Sequence, residues 1–179
     1  MSREIIIKPY NSEWKTDYIR TEQILKKVFG DLLVDVQHIG STSIEGLSAK
    51  PTIDVLVIVK DITHVDELNK DMSKYGFIAK GEHGISGRRY FYKIQECNQF
   101  IDTHHIHVYQ VNNPKYQEEL LFRDYLRISE DARKEYEKLK TELALKFRKE
   151  PRLYTNAKSR FILNTVNKAK KYFSWDKER

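Results

Sequence analysis

Asp54 stands inside an otherwise aliphatic run, Ile53-Asp54-Val55-Leu56-Val57-Ile58-Val59. A lone carboxylate is costly to bury, so this one requires a partner, a metal or a functional pocket. Upstream, His38-Ile39-Gly40-Ser41-Thr42 leaves a second predicted strand. Gly40 lets the backbone turn sharply and approach a ligand closely. Ser41 and Thr42 offer hydroxyls and backbone N–H groups that suit phosphate oxygens, and Lys50 adds a cation before the Asp54 strand. The same residues would also serve as an ordinary Gly-Ser turn followed by an acidic residue near a strand start.

Two further strands carry candidate groups. In Thr103-His104-His105-Ile106-His107-Val108-Tyr109, alternation puts His105, His107 and Tyr109 on one face, with His104, Ile106 and Val108 on the other. Two histidines spaced by two suit metal ligation, acid–base chemistry or a hydrogen-bonded structural pair. In Gly87-Arg88-Arg89-Tyr90-Phe91-Tyr92-Lys93, cations alternate with aromatics. That pattern suits a phosphate and a stacked base, and equally a charge-protected edge strand. Arg123 and Arg127 lie four apart on a predicted helix, where bracing is the expected role.

The elements that must position these groups are legible in outline. Glu4 to Lys8 is predicted as a strand closed by Pro9, and Ser12 as the cap of a helix whose inner stripe is Trp14, Tyr18, Thr21, Leu25 and Val28. Strands are predicted over Val34–Ile39, Ile53–Val59, Phe77–Ala79, Arg88–Ile94 and Thr103–Val111, and a helix over Asp61–Tyr75. From Lys115 onward the pattern is helical. Leu121, Tyr125 and Ile128 share one face; Ala132, Tyr136, Leu139, Leu143 and Phe147 share another. A last helix covers Thr155 to Phe173, with Ile162, Val166, Ala169 and Phe173 inward. The expected fold is α+β in one domain spanning 1–179: a mixed β-sheet with flanking helices over about 1–113, and a C-terminal helical segment over about 114–179.

Composition narrows the class. The 21 aromatic residues among 179 argue against disorder, and the longest aliphatic run falls far short of the ~20 residues that a membrane-spanning helix needs. A single cysteine, Cys97, can make no internal disulfide, so a cytoplasmic protein is expected. The net charge of +6 allows a nucleic-acid partner without favouring one, because the charges are interspersed.

Several segments together resemble the GrpB family: His38-Ile39-Gly40-Ser41-Thr42, Gly46-Leu47, Ala49-Lys50-Pro51, Ile53-Asp54-Val55, Gly87-Arg88-Arg89, His105-Ile106-His107-Val108 and Phe122-Arg123-Asp124-Tyr125-Leu126-Arg127. Pro9-Tyr10 before Trp14 and Lys158 before Phe161-Ile162 extend the likeness over nearly the whole chain. The resemblance implies a nucleotidyltransferase-like fold; related domains occur fused to dephospho-CoA kinase. In that superfamily a Gly-Ser turn precedes two carboxylates separated by one residue on a strand. Asp54 fits the first, and Leu56 stands where the second belongs.

The resulting expectation is a metal-dependent nucleotidyltransferase-like enzyme acting on a nucleotide or other phosphate-bearing small molecule and an unidentified acceptor, with Asp54, His107 and Ser41 catalytic. Gly40, Ser41, Thr42, Lys50, Arg88 and Arg89 would hold phosphates. Asp54, His105 and His107 would hold a divalent metal, magnesium or manganese rather than zinc. The alternative is a binding module that holds a nucleotide or another anionic small molecule without turnover.

Overall fold

The computed structural model describes residues 4–96 and 98–175, so Cys97 lies outside the described residues. Among them, five strands form one mixed sheet: β1 (Leu33–Ile39), β2 (Ile53–Val59), β3 (Ile78–Ala79), β4 (Arg88–Gln95) and β5 (Asn98–Gln110). Their spatial order is β1-β2-β5-β4-β3. β2 and β5 run parallel at the centre, and every other pairing is antiparallel. The register sets Asp54 beside Ile39 of β1 on one side and His105 of β5 on the other. His107 in turn lies beside Leu56 and Tyr90.

The aliphatic residues of β2 decide the layering. Val55, Val57 and Val59 face one way with Ile106 and Val108 of β5 and Phe91 of β4. They are covered by α1 (Glu13–Phe29) through Trp14, Leu25 and Phe29, and by Val65 and Met72 from the segment after β2. That segment, predicted as one helix, is a 3₁₀ stretch (Ile62–Leu68) followed by the short helix α2 (Asn69–Lys74). The helix α1 begins as expected, but the cap differs: Asn11, not Ser12, accepts the Glu13 N–H.

Against the opposite face lies α3 (Pro114–Ile128), with α4 (Glu130–Lys146) and α6 (Ser159–Trp175) packed on it and α5 (Pro151–Ala157) between those two. Four expectations need correction here. Residues 4–8 do not join the sheet; Lys8 makes one bridge to Ala49, and the Ile5 N–H bonds to the Arg148 carbonyl. The buried stripe of α3 is Tyr116, Arg123 and Leu126, and Ile128 is exposed. In α4 the fully inward positions are Ala132, Tyr136, Lys140 and Ala144, so a lysine occupies a core position. The last helix is divided at Lys158, which stands between α5 and α6. No helix among the described residues is long and apolar enough to cross a membrane.

Candidate functional site

The polar centre lies where β1 ends and β2 begins. Gly40 takes φ +69° and ψ −176°, a conformation that strains any residue bearing a Cβ. The space is also closed: a Cβ on Gly40 would lie 2.4 Å from Asp54 Oδ2. Gly40 is therefore required by Asp54, whose carboxylate packs against the bare backbone of the turn. The turn continues as a single 3₁₀ turn (Ser41–Ser43), in which the Gly40 carbonyl accepts bonds from the Ser43 N–H and hydroxyl. Helix α3 braces it from below. Buried Arg123 donates to the Gln37 side chain and the His38 carbonyl, each at 3.0 Å, and Arg127 donates to the Ser43 carbonyl.

Asp54 and His105 meet as the register dictates. His105 Nδ1 lies 3.0 Å from Asp54 Oδ1, and its Nε2 lies 3.2 Å from Asp102 Oδ2. A carboxylate on each ring nitrogen makes both nitrogens donors, which is the imidazolium form. Burial works against that charge, but the bonds to Asp102 and Asp54 outweigh it and raise the His105 pKa. Burial would likewise raise Asp54, and the bond from His105 reverses it, holding the carboxyl below its usual range.

Next along β5, burial drives His107 down to about 4, with Asp54 opposing. Its Nδ1 is buried without a hydrogen-bond partner and lies 3.7 Å from Glu119 on α3. Burial pushes Glu119 up to about 7, although the Tyr109 hydroxyl donates to it at 3.1 Å. The Tyr90 ring closes this side, standing edge-on to His107 with centroids 5.4 Å apart.

The C-terminal helices bring lysines toward Asp54. Lys140 donates to the Ser48 carbonyl and lies over the Tyr136 ring. Burial lowers it to about 7, and the charge of Lys158 adds to the shift. Lys158 lies over the Tyr154 ring, 4.3 Å from ammonium to centroid. Burial lowers it to about 8; Asp54 pulls it up and Lys50 pushes it down, so the three charges share one neighbourhood. Burial raises the Tyr136 hydroxyl and the Ser41 side chain opposes the shift, which places α4 near the turn.

The structure thus gathers Gly40, Ser41, Lys50, Asp54, His105 and His107 at one end of the sheet. It does not gather Arg89, which lies on the opposite face and bonds Asp66 through Nε at 2.8 and 2.9 Å. Arg88 is on the site face, but its guanidinium fastens the preceding loop through the Glu82 and His83 carbonyls. The Thr42 hydroxyl is also committed, donating to the Thr52 carbonyl and lying 3.1 Å from His38 Nε2. Sequence reasoning missed Asp102, Glu119 and Lys140 as members of this site. Only Lys140 left a signal, the four-residue spacing 132, 136, 140, 144.

The expected metal set of Asp54, His105 and His107 is brought together but is not arranged to hold an ion. His105 has both nitrogens on carboxylates, Asp54 Oδ1 is the acceptor of one of those bonds, and Leu56 is fully buried in an apolar cluster. No group of three or more His, Cys, Asp or Glu side chains among the described residues is arranged to hold a metal ion. Across the turn from Asp54, a cavity of about 430 Å³ opens beside Tyr18, His38, Arg127 and Arg133.

A family model described as GrpB protein matches residues 4–168. The chain is 39% identical over 177 residues to the UPF0157 protein YqkA of Bacillus subtilis, covering 99% of this chain and 50% of that protein. It is 32% identical to the Glutamate-rich protein GrpB of Alkalihalophilus pseudofirmus, covering 92% of this chain and 95% of the relative. The chain therefore spans half the length of the first relative and nearly all of the second. The crystal structure of the conserved protein GrpB from Enterococcus faecalis superposes with a TM-score of 0.86 at 37% identity, covering 94% of this chain and 99% of that one. A Cid1 poly(U) polymerase structure gives a TM-score of 0.48 at 16% identity over 71% of this chain and 39% of that one, too remote to bear on chemistry. With one family pattern running from Glu4 to Lys168 and a relative matched along almost its whole length, this chain belongs to the GrpB family.

Proposed function

We propose that the Asp54 end of the sheet binds a nucleotide or another phosphate-bearing small molecule. The observation that carries this reading is the pair Lys140 and Lys158. Both are pushed well below the usual lysine range by burial, each lies over a tyrosine ring, and they repel one another. Cations held together against their own repulsion create a positive potential that an anion relieves. Lys50 and the Gly40–Ser41 turn complete a cradle for phosphate oxygens, with backbone N–H groups and a hydroxyl beside the ammonium groups.

A thermal-shift panel of nucleotides, dephospho-CoA and sugar phosphates tests it. A ligand at a hundred times its dissociation constant adds about 2.7 kcal/mol of stability, a rise of several degrees in the midpoint. The shift should shrink in Lys158→Met. No shift with any phosphate-bearing compound would sink the reading.

A second reading is transfer of a nucleotidyl or related phosphate group to an acceptor. The cavity beside Tyr18, His38 and Arg127 favours it, because it offers room for another molecule just across the turn from Asp54. Incubating the protein with a labelled nucleoside triphosphate and a metabolite extract would decide it. New labelled product in wild type but not in Asp54→Asn supports transfer; binding without product leaves the first reading alone.

A further inference from the structure

We infer that this site meets the negative charge of its ligand with side-chain cations, and that phosphate binding here needs no divalent metal ion. The inference rests on the phosphate-site reading above and deepens it. It follows from which atoms are free around Asp54 and which are not.

A hard divalent cation wants several oxygen donors converging on one point. Asp54 is the carboxylate best placed to begin such a set, but one of its oxygens is bonded to His105 and the other is packed against the Gly40 turn. Oδ1 accepts from His105 Nδ1 at 3.0 Å. Oδ2 lies so close to Gly40 that a methyl group there would sit 2.4 Å away. The next position on the same strand face is Leu56, fully buried with Ile39, Ile58, Tyr109 and Tyr116. The neighbour across the sheet, His105, is held through both ring nitrogens by Asp54 and Asp102. Glu119 is turned to the Tyr109 hydroxyl and the buried His107.

What surrounds Asp54 instead is positive. The positive charges acting on it come from the His105 imidazolium and from Lys158. Lys158 in turn feels Lys50, and Lys140 feels Lys158. Glu137 is the carboxylate that tempers Lys140, and it is tied to the Ser48 N–H at 3.0 Å. Ammonium groups act on phosphate as strong point charges and need no fixed ligand geometry. Lysines reaching in from α4 and from the α5–α6 junction therefore supply the charge that clustered carboxylates would otherwise recruit as metal. Asp54 becomes a positioning residue: it fixes the His105 imidazolium and the close packing of the Gly40 turn.

Two measurements on the full chain test this. In the first, manganese alone is titrated into the protein and free ion is read by electron paramagnetic resonance. The expected result is no stoichiometric site, and no difference between wild type and Asp54→Asn. A one-to-one site that disappears in Asp54→Asn overturns the inference. In the second, inorganic phosphate and a nucleoside monophosphate, both weak magnesium binders, are titrated calorimetrically with EDTA or with magnesium. Affinity should agree within about threefold between the two conditions, fall about tenfold or more in Lys158→Met, and recover in Lys158→Arg. Binding that vanishes in EDTA and returns with magnesium overturns the inference while leaving the phosphate site standing. Absence of binding under both conditions removes the phosphate site itself, and the manganese titration still decides the metal question.

Discussion

The two faces of the sheet are made from alternate residues of the same strands, yet they do different work. The face under α1 carries Val55, Val57, Val59, Ile106 and Val108, all fully buried. His104, on that face, is driven by burial to about 4 and is therefore neutral at pH 7. The opposite face holds a charged pair, Asp54 and His105, and an unpartnered His107 nitrogen. Its apolar part is smaller: Ile39, Leu56, Ile58, Tyr109 and Tyr116. One face supplies stability almost everywhere, whereas the other divides into a polar end and an apolar patch. The effect of a substitution should follow this division and not the distance from Asp54.

Leu56 gives the sharpest test, because it lies two residues from Asp54 on the same face and is fully buried. Leu56→Asp restores the superfamily pattern in sequence but puts a carboxylate into an apolar cluster. We expect a loss of about 4 kcal/mol or more in urea unfolding, from the lost apolar burial and the desolvated charge together. Near-native stability would mean that the polar end extends to Leu56, and the division would fail.

Gly40→Ala comes next. The positive φ and the closed space beside Asp54 together should destabilise by about 3 kcal/mol. Combining it with Asp54→Gly should recover part of that loss, since the clash goes and only the backbone strain remains. Simple additivity of the two changes would show that Gly40 is not there for Asp54.

Much of this arrangement is legible in residue order. The alternation in β2 and β5 predicts which side chains share a face, and Asp54 and His105 do meet. A charged residue in an aliphatic strand demands a partner, and the demand is real. What residue order leaves open is which strands become neighbours. His105 suits a metal until its second nitrogen is found on Asp102, three residues back along its own strand. Arg89 suits a phosphate until alternation is combined with the order β2-β5-β4, which turns it toward Asp66. Lys140 escapes notice because leucines 139 and 143 offer a better apolar stripe than the one α4 uses. The stripe used, through Ala132, Tyr136 and Ala144, leaves a lysine inside the protein.

Those lysines give the polar end a pH signature that the α1 face lacks. Folded Lys140 titrates at about 7 and Lys158 at about 8, against 10.5 ordinarily. In the window between these folded values and 10.5, the unfolded chain binds more protons on the two groups than the folded chain does. Their contribution therefore makes stability rise with pH across that window, and the full penalty is present below about 7. Comparing thermal midpoints of wild type and Lys140→Met should show a wild-type deficit near neutral pH that narrows steadily as the pH rises from about 7 toward 10.5. Phosphate affinity should move the opposite way, weakening as the lysines lose their protons. A constant difference between the two proteins would place Lys140 outside the titrating set.

The smallest effect should come from Arg89, and it separates the two faces most directly. Arg89 follows Arg88 in sequence and carries the same charge, but its guanidinium pairs with Asp66, whose side chain is 50% exposed. A partly exposed pair of this kind contributes less than about 1 kcal/mol. Arg89→Ala should therefore lower stability by no more than that, and leave phosphate titrations unchanged at low salt, where any loss of positive potential is most visible. Equal loss of phosphate affinity in Arg89→Ala and Lys158→Met would mean that charge anywhere on this basic chain suffices. The polar end of the sheet would then have no special claim on the ligand.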